Sequence, residues 1–154
     1  MKLVGKKGVS GVLEIAMWVL MAVAVAILLT LPWFVDKFMM PFNVNAAFFR
    51  PRYLVTLGVS GVIALLMLWQ ARGILHNVNA GTIFSLQTVR RMKILGVEFL
   101  VLSAFYFAML FFGMTKFSVG LLALVFALAG PIVLVFSELF KQATLYKQEN
   151  DMTI

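Results

Sequence analysis

The sequence predicts an all-α polytopic membrane protein. Four transmembrane helices form an antiparallel bundle, with an interfacial outer loop and a short cytoplasmic C-terminal helix. Three observations predict this. Hydrophobic residues make up 63% of the chain and charged residues only 12%, against about half and about a quarter in soluble domains. The mean hydropathy is +1.03. The apolar residues also fall into four runs, each near the roughly 20 residues a helix needs to cross the hydrocarbon core. The 154 residues bound the chain to one domain.

The first run, Gly11 to Leu31, follows Lys2, Lys6 and Lys7. That start looks like the basic region of a signal peptide. The apolar stretch is longer than a signal's, and no small-residue cleavage site follows, so a retained helix is expected. The second run covers Tyr53 to Leu75, the third Ile94 to Phe112 and the fourth Phe117 to Phe140. The short link Gly113 to Lys116 makes the third and fourth spans a hairpin. The residues beyond Phe140, 141–154, form a polar tail.

Orientation follows the excess of Lys and Arg on cytoplasmic loops. One side holds nine: Lys2, Lys6, Lys7, Arg72, Arg90, Arg91, Lys93, Lys141 and Lys147. The other holds four: Lys37, Arg50, Arg52 and Lys116. Both termini are therefore expected in the cytoplasm. The link from His76 to Lys93 begins with the turn formers Asn77, Asn79 and Gly81. Ser85 then offers an N-cap for a helix that continues into the third span.

The outer segment, Pro32 to Arg52, carries Trp33, Phe34, Phe38, Met39, Met40, Phe42, Phe48 and Phe49. Aromatic rings favour the headgroup zone, so an interfacial piece is expected there. A lid over a hydrophobic ligand is the alternative.

The formal net charge of +7 raises the question of nucleic acid. The charges flank the apolar runs and form no stripe for a phosphate backbone, so the basic partner surface is read as the lipid bilayer and direct nucleic-acid binding is not expected. No cysteine is present, which excludes disulfides and thiolate chemistry. The lone His76 and the scattered methionines give no metal site. No phosphate loop, nucleophile elbow or Ser/His/Asp set is found. No cofactor and no enzyme activity are expected.

Charged side chains inside a span cost about 2.5–3.5 kcal/mol at mid-helix. Glu14, Arg72, Glu98 and Glu138 lie on the four spans in turn, each within about two turns of the cytoplasmic end. They are read as one intramembrane polar cluster. It is either an interhelical network with Arg72 as the common partner, a proton- or cation-responsive site, or a set of snorkelling side chains. Pro131, after Gly130, is a packing kink or a hinge. Ala123 with Ala127, and Gly58 with Gly61 and Ala64, form small-residue ridges suited to close helix contact, within one chain or between copies.

The chain ends Ser137-Glu138-Leu139-Phe140-Lys141, followed by a polar helix closing in Glu149-Asn150-Asp151-Met152-Thr153-Ile154. The stretch Phe84-Ser85-Leu86-Gln87-Thr88-Val89-Arg90-Arg91-Met92-Lys93-Ile94-Leu95-Gly96 places paired basic residues and a glycine at the entry to the third span. Both motifs resemble a family of small four-span bacterial membrane proteins, domain-of-unknown-function family two-nine-seven-five. Many of its members have Glu-Asn where Gln87-Thr88 stands here.

The resemblance implies a bacterial cytoplasmic-membrane protein without assigned activity, often encoded beside a small Cro/CI-like helix-turn-helix regulator. It thus implies a membrane-bound regulatory partner of such a protein. Arg90, Arg91, Glu149, Asn150, Asp151 and Thr153 are then the partner-binding candidates on one cytoplasmic face. A tail docked on the protein's own Arg90 and Arg91 is the competing reading. Two further functions stay open. One is a small proton-coupled transporter or exporter, suggested by four spans and a first-span carboxylate. The other is an accessory subunit, or a homo-oligomer, built on the small-residue ridges.

Overall fold

A computed structural model describes residues 9–39, 45–112 and 117–152. Lys2, Lys6, Lys7, Met40, Phe42, the 113–116 link with Lys116, Thr153 and Ile154 lie outside the described residues. Four helices follow in order: α1 (Val9–Phe34), α2 (Ala46–Asn79), α3 (Leu86–Phe111) and α4 (Phe117–Met152). All four are long and apolar enough to cross a membrane. The chain is a multi-pass membrane protein of all-α class.

The helices pack antiparallel and in chain order: α1 on α2, α2 on α3, α3 on α4. Among the described residues, α1 and α4 do not approach each other, so the bundle is open along one side. Packing of α3 on α4 is the most extensive. Leu102, Tyr106, Val119 and Ala123 form its buried cluster, joined from α2 by Ile63 and Met67. The buried Ser103 hydroxyl donates to the Ala123 carbonyl at 2.8 Å. Ala123 is fully buried, and Gly58 and Gly61 lie under Leu31 and Leu28 of α1. These small residues of both ridges therefore serve contacts within the chain, where a missing side chain lets neighbouring helices close up.

The helices are longer than the apolar runs. At 1.5 Å per residue the 36 residues of α4 span about 54 Å, well beyond the roughly 30 Å of hydrocarbon. The expected short C-terminal helix is thus the uninterrupted continuation of α4, which also runs through Pro131 unbroken.

Both described parts of the Pro32 to Arg52 segment are helical. Val35–Met39 form a π-helical turn directly after α1, and residues 46–52 are the first turns of α2. Val35 is fully buried against Leu31 and Tyr53. Arg50 donates from Nε and Nη2 to the two Asp36 carboxylate oxygens at 2.6 and 2.9 Å. That fork holds the π-helical turn to the start of α2. Trp33, Phe34, Phe38 and Phe48 remain exposed.

Candidate functional site at the basic end

The start of α1, the α2–α3 link and the end of α4 lie at the same end of the bundle, the end that holds most of the basic residues. The link is short and tied at both ends. Gly81 takes a φ of +73° to turn the chain out of α2, a conformation that costs glycine little. The Thr82 amide donates to the Asn77 carbonyl at 2.9 Å. Ser85 caps α3, its hydroxyl oxygen accepting from the Thr88 amide at 3.3 Å. The buried Asn77 amide then donates to the Thr88 hydroxyl oxygen at 3.0 Å, with Ser85 Oγ another 3.0 Å away. Buried polar groups need such partners, and here they lock the end of α2 to the start of α3.

Glu14 joins α1 to the end of α2. Asn79 Nδ2 donates to Glu14 Oε2 at 2.7 Å, and His76 Nδ1 lies 3.0 Å from Oε1. His76, which the sequence marks only as a lone histidine, is drawn into this contact. Its ring is mostly exposed, yet one nitrogen is held by the carboxylate.

Arg72 does something different from what the sequence suggests. Among the described residues no carboxylate lies within ion-pair distance of it. Its guanidinium carbon sits 4.1 Å from the centroid of the Trp18 ring and 5.6 Å from that of Trp69. An aromatic face offers negative potential without hydration, and so suits a cation held near the membrane. The Arg72 Nε is buried and has no acceptor among the described residues.

Glu98 faces the groove between α2 and α3, with Ile63, Leu66 and Val97. The Gln70 side chain reaches towards its carboxylate, and Glu98 Oε2 is buried without a hydrogen bond. Gln70 Oε1 also accepts from Arg91 Nη1 at 3.4 Å. Arg91 lies flat on α2 over Gly73, where any side chain on that glycine would collide with the guanidinium. Glu138 is exposed on α4 and paired with Lys141 at 3.1 Å.

The four candidates of the polar cluster therefore do not converge. Glu14 and Arg72 lie in adjacent layers of the α1–α2 contact, Glu98 lies between α2 and α3, and Glu138 points outward. The network centred on Arg72, one of the three readings of these residues, gives way to separate pairings. They enlist His76, Asn79, Trp18, Trp69 and Gln70, none of which was singled out for that role. Trp18 and Arg72 each lie near the basic end of an adjacent antiparallel span, and that was the available signal. Among the described residues no three His, Asp or Glu side chains assemble as a metal site requires.

Of the partner-binding candidates, Arg90 is exposed and Arg91 half-buried against α2. Glu149, Asn150 and Asp151 are exposed on the last turns of α4. Thr153 lies outside the described residues. Every residue from Leu145 to Met152 is exposed. Leu145, Glu149 and Met152, at spacings of four and three, share one face of that helix.

Residues 42–154 match the profile of a family described as protein of unknown function (DUF2975). The match covers α2, α3 and α4 and leaves α1 outside. No curated protein and no solved structure matches the chain.

Proposed function

This chain belongs to the DUF2975 family of proteins of unknown function, and from that premise we propose that it is a membrane-bound docking partner for a small helix-turn-helix regulator. It acts without catalytic chemistry of its own. In this reading it resides in a bacterial cytoplasmic membrane with both termini in the cytoplasm, as the bias of nine basic residues against four suggests.

The observation that carries the proposal is the end of α4. A helix that outruns the bilayer presents Leu145, Glu149 and Met152 on one face, with Asp151 about a third of a turn away, and its last eight residues are all exposed. A helix rooted in the membrane is already formed and need not be nucleated on binding. Its apolar residues can enter a groove while its acids meet the basic surface of a DNA-binding module. The apolar part matters because exposed charge pairs are worth only about 0–1 kcal/mol. The helix-turn-helix identity of the partner comes from what the family resemblance implies.

The test uses N-terminally tagged, detergent-solubilised protein and purified small helix-turn-helix proteins from the source cell. Capture by the full chain, lost on removal of 149–154 and on Glu149→Lys with Asp151→Lys, is the expected result. Full-length protein that is folded by circular dichroism and captures none of them sinks the proposal.

A further inference from the structure

We infer that the groove between α2 and α3 binds an anionic phospholipid, its phosphate held by Arg90 and Arg91 and one acyl chain laid against α2 and α3. Two adjoining hollows make the groove, and Ile94 lines both. The one nearer the basic end is about 230 Å³ and is lined by Trp69, Gln70, Gln87, Arg90 and Arg91. The deeper one is about 280 Å³ and its surface is almost wholly apolar, from Ile63 and Leu66 on α2 and Val97 and Val101 on α3, with Glu98 and Lys93 at its border. A charged chamber at headgroup depth, opening into an apolar trough in the hydrocarbon, repeats the polarity gradient of a phospholipid. Basic pockets between transmembrane helices are suited to such headgroups.

Among the described residues no acid neutralises the charges in the upper chamber: neither Arg90 nor Arg91 has a carboxylate within ion-pair distance. Arg91 Nε is buried and has no acceptor, and its Nη1 has only the 3.4 Å contact to Gln70. The parts of Arg90 and Arg91 that line the chamber can pair with a phosphate oxygen. The nearest carboxylate on α3, Glu98, lies seven residues beyond Arg91, about 10 Å along the axis, with Gln70 between them. Lys93, on the wall of the trough, can lift its ammonium towards the headgroup. A zwitterionic lipid offers the same phosphate and chains but adds a cation, which the two arginines disfavour. The site therefore selects lipids of net negative charge. This inference does not rest on the docking role proposed for α4.

Trp69 lines the headgroup chamber and provides the readout. The full chain carrying Trp18→Phe and Trp33→Phe would be reconstituted in phosphatidylcholine vesicles. These would hold equal small fractions of brominated phosphatidylglycerol or brominated phosphatidylcholine. Stronger quenching of Trp69 by the anionic lipid is expected, with a preference of about fivefold for each arginine engaged. Arg90→Gln, at an exposed position, should lower that preference by about the same factor while the helical spectrum is kept. Equal quenching by the two lipids overturns the inference. So does complete reversal of the anionic preference by inorganic phosphate, which would make this a site for the bare anion. Should the single-tryptophan chain misfold, native mass spectrometry of the unmodified protein gives the same comparison, and equal retention of the two lipids is again fatal.

Discussion

Gly96 of α3 and Gly130 of α4 face each other so closely that a Cβ on either would lie 3.2 Å from the carbonyl oxygen of the other. Leu134 covers Gly96 and Leu100 covers Gly130, at 2.8 and 2.7 Å from the same positions. The leucine tips can rotate away, but the two backbones cannot separate without opening the interface. Gly96→Ala and Gly130→Ala should each destabilise the protein by about 1–3 kcal/mol, the usual cost of overpacking. Denaturation in mixed micelles would measure it. Adding Leu134→Ala to Gly96→Ala should recover little, because the carbonyl contact remains. Full recovery would show that only the side chains clash.

Glu14 fastens α1 to the end of α2 through Asn79 and His76. A glutamine there keeps an acceptor for Asn79, whereas an alanine keeps none. Interhelical hydrogen bonds in membranes average about 0.6 kcal/mol and reach about 1.7. Glu14→Ala should therefore lose about that much stability, and Glu14→Gln clearly less. The same pair of variants bears on transport: a role for Glu14 in carrying protons requires Glu14→Gln to be as damaging to activity as Glu14→Ala.

The contrast between these two sites shows how much could be read from the sequence. The four apolar runs, the Ser85 cap and the buried Ala123 were legible because length, local hydrogen bonding and small size leave direct marks. The order of Glu14, Arg72, Glu98 and Glu138 along the four helices is plain from the sequence, but Glu98 and Glu138 lie more than two turns from the observed helix ends, because α3 and α4 run on past the apolar residues. Which way each one faces was not legible. In a soluble helix the polar face reveals the rotation about the axis. Here lipid and protein interior are both apolar, so the pattern carries almost no rotational signal. That is why Glu138 was grouped with residues it does not meet, and why Trp18 was not recognised as the partner of Arg72. The family match, beginning at residue 42, confirms the resemblance seen in the two polar motifs, the parts that lipid solvation does not dictate.

The Arg72 pairing is open to a double-mutant cycle. Trp18→Leu and Arg72→Gln each remove the ring–guanidinium contact of 4.1 Å. Their combination should cost less than the sum of the two, by about 0.5–2 kcal/mol, the range for cation–π pairs from exposed to desolvated settings. Strict additivity in the cycle would mean that the guanidinium is held by headgroups or water instead. Trp69, at 5.6 Å, is the weaker partner, and a cycle with Trp69→Leu should give a smaller coupling.

The Asn77–Thr88 bond predicts a reversal of sign between single and double variants. Thr88 is 1% exposed and Asn77 6%, so neither polar group has water to fall back on. Thr88→Val keeps the shape but leaves the Asn77 amide without its 3.0 Å acceptor, which should cost about 1–3 kcal/mol. Replacing Asn77 as well, by leucine, removes the stranded donor. The double variant should then be more stable than Thr88→Val alone, although it carries one more substitution. The backbone bonds around Gly81 do not depend on the Asn77 side chain, since its carbonyl is what accepts from Thr82. The turn should survive in both variants, with hydrogen exchange of the Thr82 amide as the check. Rapid exchange in the double variant would mean that the side-chain bond, and not the backbone, sets the path from α2 into α3.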